Sequence, residues 1–311
     1  MTSLFVAANG GHLAQLVELE KRMAGNDRDR LWVTFDSPQS RSLLAGRRTR
    51  FIRSIEERDI VGVCRGFFDA HNVFGKDRID AVISTGSAIA LPFLLYAAAR
   101  GIPSHYIESA ARVSSPSLTG RVLEWTPRVK LYRQYPQASH GRWMYGGSVF
   151  DGFKAAEGAK KDVHRIVVTL GSGTHVFRRL VDRLVKILPP SSEVVWQTGC
   201  TPVADLNIKA QPTLPSAVLD KAIADADVVI GHAGCGTALS ALNAGKFAIL
   251  VPREPQYGEL VDTHQVEIAR WLEERNLAFH RDPNSINTQD IFMAAERRVC
   301  RDDAPPVFRL A

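Results

Sequence analysis

The stretch Arg165-Ile166-Val167-Val168-Thr169-Leu170-Gly171-Ser172-Gly173 contains the pattern that decides the fold. Its β-branched and apolar residues predict a buried strand, and the glycine turn that ends it leads into a helical pattern from about residue 174. The same order recurs at residues 228–244, and again at residues 4–19, where the turn is Asn9-Gly10-Gly11-His12. Strand, glycine turn and helix in succession predict βαβ units, in which helices connect parallel strands.

Further apolar runs divide the chain into two halves of this kind. Strands are predicted at 31–35, 81–84, 104–107 and 129–132 in the first half, and at 194–197, 228–230 and 247–251 in the second. A glycine-rich, polar stretch between the halves predicts a linker. We therefore predict an α/β chain of two Rossmann-like, doubly wound domains that face a cleft. The predicted boundaries are 1–147, a linker at 148–163, 164–299 and a C-terminal tail at 300–311.

Composition excludes several classes of protein. The 311 residues are 45% hydrophobic and 23% charged, which is typical of globular chains rather than disordered or fibrous ones. No apolar run approaches the roughly 18 residues that a spanning helix needs, and the N-terminus has no secretory signal pattern. Cys64, Cys200, Cys235 and Cys300 are scattered and form no CxxC pair, so we expect neither a disulfide framework nor a zinc site. These features favour a cytoplasmic protein.

The basic excess of the chain lies in its first half. Residues 1–150 contain 20 Lys and Arg against 13 Asp and Glu, whereas the remainder contains 19 against 20. An arginine patch accounts for much of the excess, and its members are Arg41, Arg47, Arg48, Arg50, Arg53 and Arg58. Such a patch could contact anionic lipid headgroups or nucleic acid, or could be a solvated surface.

Glycine turns after parallel strands present backbone N–H groups to an anion, and the following helix dipole strengthens the site. Two such turns in the second half, at residues 171–173 and 232–237, predict a phosphate-binding site there. The chain has no GxxxxGK[ST] sequence and no GxGxxG at residues 8–12, which disfavours P-loop NTPases and dinucleotide-dependent oxidoreductases. Asp225-Ala226-Asp227 is a DxD sequence at the entry of a predicted strand, so we interpret it as structural and expect no metal site.

Seven short motifs occur in a fixed order along the chain, at residues 10–12, 84–86, 106–113, 169–172, 231–238, 251–253 and 258–265. Together they resemble inverting glycosyltransferases of the GT-B fold, in particular family 28, the peptidoglycan N-acetylglucosaminyltransferase type. The first half resembles the acceptor half of these enzymes and the second half the donor half. The chain also resembles a single-chain fusion of two subunits that other organisms make separately. Those pairs are the eukaryotic dolichol-diphosphate GlcNAc transferase and the bacterial exopolysaccharide glucuronosyltransferases.

The resemblance implies direct displacement at C1 of a UDP-sugar, with inversion and without a metal ion or cofactor. It implies GlcA or GlcNAc as the sugar, and a polyprenyl-diphosphate-linked sugar or related glycolipid of polysaccharide biosynthesis as the acceptor. The reaction needs a base for the acceptor hydroxyl. His12 is the first candidate, because imidazole titrates near neutral pH, although it could instead cap a helix and bind the acceptor. Glu108 is the second candidate base, with acceptor positioning or an ion pair with Arg112 as alternatives.

The resemblance assigns the remaining candidates to two groups. The predicted donor-binding residues are Gly171, Ser172, Gly173, His232, Gly234, Cys235, Gly236, Thr237, Arg253, Glu259, His264 and Gln265. The predicted acceptor-binding residues are Asn9, Gly10, Gly11, Gly86, Ser109 and Arg112. Many relatives have an acidic residue where this chain has Ser240, and some have an asparagine where it has Ile268, which leaves the donor sugar open.

We expect peripheral contact with an anionic membrane at the cytoplasmic face, and no nucleic-acid partner. The arginine patch and exposed apolar residues such as Phe67 and Phe68 are the predicted contacts. Two alternatives remain open: a UDP-sugar 2-epimerase of the same fold, and a non-catalytic UDP-sugar-binding protein. An epimerase would act through carboxylates and need no acceptor site, and loss of His12 would be harmless in a binding protein. A soluble acceptor is also open.

Overall fold

The computed structural model describes residues 2–23, 29–56, 59–158, 162–171 and 173–311. The chain divides into two units: unit 1 is Met1–Val149 together with Pro306–Ala311, and unit 2 is Phe150–Pro305.

Unit 1 is a parallel sheet with helices between its strands. The strands are β1 (Thr2–Ala7), β2 (Asp29–Phe35), β3 (Thr49–Ile52), β4 (Ile79–Gly86), β5 (Ser104–Ile107), β6 (Val129–Arg133) and β7 (Trp143–Tyr145). The helices are α1 (Gly11–Glu20), α2 (Pro38–Leu43), α3 (Ile60–Lys76), α4 (Ala90–Ala99) and α5 (Leu118–Glu124). The strands pair in the order β3-β2-β1-β4-β5-β6-β7.

Burial explains why unit 1 takes this form. Successive residues of β1 point to opposite faces, and Leu4, Phe5 and Val6 are all buried, so both faces of the sheet are covered. Phe5 stacks on Trp32 of β2 with the ring centroids 4.8 Å apart. Sequences that bury both faces read as continuous apolar runs, which is the pattern that predicted the strands.

Unit 2 repeats the arrangement. Its strands are β8 (Phe153–Ala156), β9 (Arg165–Thr169), β10 (Glu193–Gln197), β11 (Ala210–Gln211), β12 (Val228–His232), β13 (Ala248–Val251), β14 (Ala278–His280) and β15 (Arg298–Arg301). Its helices are α6 (Arg178–Ile187), α7 (Ser216–Asp225), α8 (Cys235–Asn243), α9 (His264–Glu274) and α10 (Thr288–Ala295). The parallel sheet has the order β11-β10-β9-β12-β13-β14, and β8 pairs antiparallel with β15.

The two doubly wound units confirm the predicted fold class, with differences at the edges. The helix expected from residue 174 begins at Arg178. In the predicted linker 148–163, the described residues include β8 and a short 3₁₀ helix at Val149–Gly152, so much of this segment has regular structure. The predicted tail 300–311 begins inside β15, and its last six residues belong to unit 1, where Phe308 is buried.

The DxD sequence is structural, as predicted. Asp227 accepts hydrogen bonds from the backbone N–H groups of His164 and Arg165, each 2.9 Å long, and so fixes the start of β9. Asp225 ends α7 and accepts from Lys221. Both carboxylates lie at the amino ends of the strands, away from the edge where doubly wound domains bind ligands.

Within the described ranges, no helix combines the length and the hydrophobicity that crossing a bilayer would require.

Candidate functional site

Each parallel sheet reverses its strand order once, and the predicted site residues follow the strands at the reversals. The reversal lies between β1 and β4 in unit 1 and between β9 and β12 in unit 2. The connections on either side of such a reversal leave on opposite faces of the sheet, which opens a crevice at the carboxyl ends of the strands. Each unit therefore has one candidate ligand-binding edge.

His12 lies in the first turn of α1, at the unit 1 reversal. Its Nδ1 is 2.7 Å from the carbonyl oxygen of Thr85 near the end of β4. Because a carbonyl can only accept, Nδ1 carries the hydrogen, and the basic lone pair of the neutral ring is on Nε2. A Cβ on Gly86, where φ is +97°, would lie 3.2 Å from the ring. The end of β4 thus fixes both the tautomer and the orientation of His12.

The turn before His12 is fixed by two side-chain contacts. The Gly10 N–H, at a residue with φ of +77°, donates to Oε1 of Gln39 over 2.9 Å. Thr34 Oγ1 donates to Oδ1 of Asn9 over 3.1 Å. Gly11 is the first residue of α1. The predicted acceptor-binding residues of this turn therefore lie together at the reversal.

Glu108 is buried beside the end of β5, and its carboxylate accepts four hydrogen bonds. Oε1 accepts from the Tyr106 hydroxyl at 3.2 Å and from the Ser109 N–H at 3.0 Å. Oε2 accepts from the Ser117 N–H at 2.8 Å and from its hydroxyl at 3.0 Å. These contacts fix the loop from residue 108 to residue 117. Both carboxylate oxygens of Glu108 are therefore engaged within unit 1.

The segment after Glu108 is a loop, which removes the helical spacing on which the ion pair with Arg112 was predicted. Arg112 is half-buried, and its N–H donates to the Ser109 carbonyl over 2.8 Å. Ser109 Oγ accepts from Nε2 of Gln15 over 3.1 Å, and Gln134 donates both to Gln15 and to the Glu108 carbonyl. Gln15 and Gln134 join this network through contacts that no local sequence pattern indicates.

In unit 2, the imidazole of His232 packs against the glycine turns that follow β9 and β12. A Cβ on Gly171 would lie 2.6 Å from Cε1 of His232, and one on Gly234 would lie 2.3 Å from its Nε2. Burial and the nearby Arg253 guanidinium lower the pKa of His232 to about 3, so the ring is neutral at physiological pH. Both glycines are therefore required by the packing of a neutral imidazole, whatever else their backbone binds.

The second glycine turn leads into α8. Cys235 begins this helix with a buried side chain, and burial raises the pKa of its thiol. Gly236 and Thr237 follow in the first turn, and Thr237 Oγ1 is 3.4 Å from Nδ1 of His232. Gly173 is exposed, whereas Ser172 lies outside the described residues. The N–H groups of the first turn of α8 have no partner inside the helix and are suited to an anion.

Arg253 follows β13 and is 4% exposed. One Nη donates to the Leu170 carbonyl over 2.9 Å, and the guanidinium lies 5.2 Å from the centroid of the Phe177 ring. Among the described residues it forms no ion pair, and its Nε has no hydrogen-bond partner. Burial lowers the pKa of Arg253 to about 10, so the group still carries a positive charge at neutral pH. It is a buried cation beside the turn after β9.

Three other predicted donor-binding side chains have partners within unit 2. Glu259 accepts hydrogen bonds from Arg179 at both carboxylate oxygens, over 3.1 and 3.0 Å. The His264 ring contacts Asp262 through Nδ1. Gln265 is buried, and its Oε1 accepts from the Arg253 N–H over 3.0 Å. Sequence reasoning missed Arg179, since nothing in its local sequence marks it.

Comparison with known protein families finds a match for part of the chain. Residues 165–287 match the glycosyltransferase family 28 C-terminal domain. The chain is 29% identical to the UDP-N-acetylglucosamine--N-acetylmuramyl-(pentapeptide) pyrophosphoryl-undecaprenol N-acetylglucosamine transferase of Neisseria gonorrhoeae (strain NCCP11945), over 66% of this chain and 60% of that protein. The Nitratidesulfovibrio vulgaris enzyme of the same name is also 29% identical, over 74% and 66%. The matched region thus spans about two thirds or less of these relatives.

Solved structures show the same fold. Acinetobacter baumannii MurG superimposes with a TM-score of 0.55 and 18% identity, over 94% of this chain and 89% of that one. The glycosyltransferase of kitacinnamycin gives 0.57 at 16% identity, over 94% and 89%. S. aureus MnaA with UDP gives 0.58 at 11% identity, over 94% and 87%. The chain has the two-domain α/β GT-B fold of these proteins.

Proposed function

We propose that the protein is an inverting, metal-independent glycosyltransferase that moves a sugar from a UDP-sugar to a polyprenyl-diphosphate-linked sugar or related glycolipid. The family 28 domain in unit 2 and the relatives named for GlcNAc transfer to a lipid-linked acceptor support this proposal. The observation that carries it is His12, whose Nδ1–H donates to Thr85 at the ligand-binding edge of unit 1. The acidic rival, Glu108, is already committed to four hydrogen bonds.

In the proposed reaction, Nε2 of His12 takes the proton of the acceptor hydroxyl. The hydroxyl oxygen forms a bond to C1 of the donor sugar while the bond from C1 to the diphosphate oxygen breaks. The electron pair of that bond leaves with UDP, and C1 is inverted. The contact with Thr85 supports this role, because it holds the protonated nitrogen away from the substrate and stabilises the imidazolium that forms.

The leaving diphosphate needs positive potential. In unit 2 this would come from the N–H groups that open α8 and from the buried Arg253 guanidinium beside the turn after β9. His232 contributes no charge, because its pKa is about 3. These groups would serve in place of a metal ion. We propose GlcA or GlcNAc as the sugar, with His264 and Gln265 near its hydroxyls.

We further propose peripheral contact with the cytoplasmic face of the plasma membrane through helices α3 and α5. Phe68 of α3 is 74% exposed and Trp125 at the end of α5 is 86% exposed, although Phe67 is half-buried. Amphipathic surfaces with apolar and basic residues bind anionic interfaces. Arg65 on α3 and Arg121 on α5 are exposed as well. At the membrane surface, the enzyme would reach a lipid-linked acceptor of polysaccharide biosynthesis.

Release of UDP tests the proposed reaction. We expect UDP from one member of a panel of UDP-sugars only when a polyprenyl-diphosphate-sugar is present, and a loss of about 10² to 10⁴-fold in kcat for His12→Ala. His140→Ala, an exposed histidine of unit 1, is the matched control and should leave kcat unchanged. Interconversion of UDP-sugars without acceptor would replace the transferase with an epimerase. UDP-sugar binding that is the same in His12→Ala and never leads to turnover would indicate a binding protein.

A further inference from the structure

Residues 252–263, which we name the donor loop, connect β13 to α9 and precede the side chains proposed to read the donor sugar. The loop folds back on itself through backbone contacts. The N–H of Glu254 donates to Oε2 of Glu259 over 3.2 Å. The N–H groups of Tyr257, Gly258 and Glu259 donate to carbonyls of residues 254 and 255. At its base, Oε1 of Gln265 accepts from the residue that follows Pro252.

One side chain outside the loop contacts three of its residues. Arg179 of α6 donates to both oxygens of Glu259, and its Nη2 lies 3.4 Å from Glu254. The guanidinium also stacks over the Tyr257 ring, with its carbon 3.7 Å from the centroid. Asp282, after β14, is a third carboxylate at 3.4 Å. A single guanidinium therefore joins three carboxylates and an aromatic ring from two segments.

We propose that Arg179 is a positioning residue of the donor site, which fastens the donor loop to α6 and so places His264 and Gln265 for the sugar. This rests on the proposed function. The geometry suits the role, because the planar fork of arginine matches a carboxylate with two parallel hydrogen bonds. The side chains of Arg179 and Glu259 are only 17% and 9% exposed, so water screens the pair little.

The same contacts reassign Glu259. Sequence reasoning placed it among the donor-binding residues, yet both of its oxygens face Arg179, and one also accepts from the Glu254 N–H. Glu259 would then act on the donor through the loop and not by contact. A substitution of either partner should release the same loop, so the two effects should overlap and not add.

Hydrogen exchange tests the fastening without any ligand. In Arg179→Met, we expect the hydrogen-bonded backbone amides of Glu254 and of residues 257–259 to exchange about tenfold faster, while peptides of β9 and β12 keep their protection. Arg178→Met is the matched control, because Arg178, the neighbour of Arg179 on α6, pairs with Asp182 and Asp205 and not with the donor loop. Unchanged exchange of the donor loop in Arg179→Met overturns the proposal. Arg179→Lys, which keeps the charge without the fork, should be intermediate.

Donor binding and kinetics test the positioning. For Arg179→Met we expect KM for the UDP-sugar to rise about tenfold, with kcat within twofold of the wild-type value. The reason is that the free energy of ordering the loop then reduces the free energy of donor binding. Glu259→Gln should raise KM similarly, and the double variant should be no worse than Arg179→Met. Additive effects would mean that Glu259 contacts the donor directly and would overturn the assignment. If the wild type binds no UDP-sugar, the proposed function fails, and hydrogen exchange alone still decides the role of Arg179.

Discussion

At the residue scale, the two candidate bases differ in the hydrogen bonds that hold them. Glu108 is buried and uses both oxygens to hold the loop from residue 108 to residue 117. His12 uses its Nδ1 hydrogen to fix the ring, which leaves the proton-accepting lone pair on Nε2. A general base needs a lone pair directed at substrate, so the proposed reaction uses His12 as the base and Glu108 as an anchor of its loop.

Replacement of Glu108 by glutamine should reduce stability more than it reduces catalysis. The amide NH₂ cannot accept, so the backbone N–H of Ser109 or Ser117 that now meets this oxygen loses its acceptor in a buried place, whereas the hydroxyl beside it can turn and accept. We expect Glu108→Gln to lower the free energy of unfolding by about 2 to 3 kcal/mol and kcat by less than tenfold. Urea unfolding measures the first and UDP release the second, with exposed Glu56→Gln as control. Undiminished stability with a hundredfold loss of kcat would restore Glu108 as the base.

The sequence could identify His12 and Glu108 but not their surroundings. His12 follows a glycine turn, and Glu108 follows a strand, and both signals are local. Gln15, Gln134 and Thr85 lie far from their partners in the chain, and buried hydrogen-bonded side chains leave no periodic pattern. The role of Arg179 was missed for the same reason, since its partners on the donor loop come about 75 or more residues later.

At the scale of elements, strands with continuous apolar runs were predictable and short edge strands were not. The strand predicted at 104–107 matches β5, and those predicted at 228–230 and 247–251 differ from β12 and β13 by at most two residues at either end. β3 was missed because its four residues include Arg50 and the exposed Phe51. β14 has only three residues. An edge strand is covered less on its outer side, so burial imposes a weaker pattern on it.

The glycine turn after β9 allows a matched test of what its glycines do. Gly171 has φ of +74°, and an added Cβ would meet the His232 ring at 2.6 Å, whereas Gly173 has no atom within 4 Å of an added Cβ. Because strain and collision combine at the first position, we expect Gly171→Ala to lower the free energy of unfolding by about 2 kcal/mol and to weaken UDP binding at least tenfold.

Gly173→Ala, in the same turn, should change the free energy of unfolding by less than about 0.5 kcal/mol. Chemical denaturation and calorimetric titration with UDP give both quantities for the pair of variants. Equal effects of the two substitutions on UDP binding, with stability unaffected, would show that the turn acts only through its backbone amides and that the packing of His232 is immaterial.

At the scale of the whole molecule, the charge asymmetry of the sequence does not translate directly into a basic surface. Four members of the arginine patch pair with carboxylates: Arg41 with Asp36, Arg47 with Glu20, Arg48 with Asp29 and Asp77, and Arg50 with Asp77. Arg58 lies outside the described residues. These acids compensate most of the patch, which weakens its predicted role as the membrane contact. The proposed contact therefore uses α3 and α5, whose exposed apolar residues have arginines beside them.

Vesicle binding distinguishes the arginine patch from the surface of α3 and α5 as the membrane contact. Arg121 on α5 is exposed, and Trp125 is almost fully exposed, so both groups are available to an interface. We expect Trp125→Ser and Arg121→Gln each to weaken binding to vesicles with anionic phospholipid by about five- to tenfold, since a basic residue near such a surface contributes about 1 kcal/mol. Arg48→Gln should change binding less than twofold, because it removes a charge that Asp29 and Asp77 already compensate.

Val218→Ser, an exposed position of α7 in unit 2, controls for the loss of apolar surface. Co-sedimentation at two salt concentrations measures all four variants. If Arg48→Gln abolished binding while Trp125→Ser did not, the membrane contact would belong to the arginine patch after all, and the charge excess of the first half would act as the sequence alone suggests.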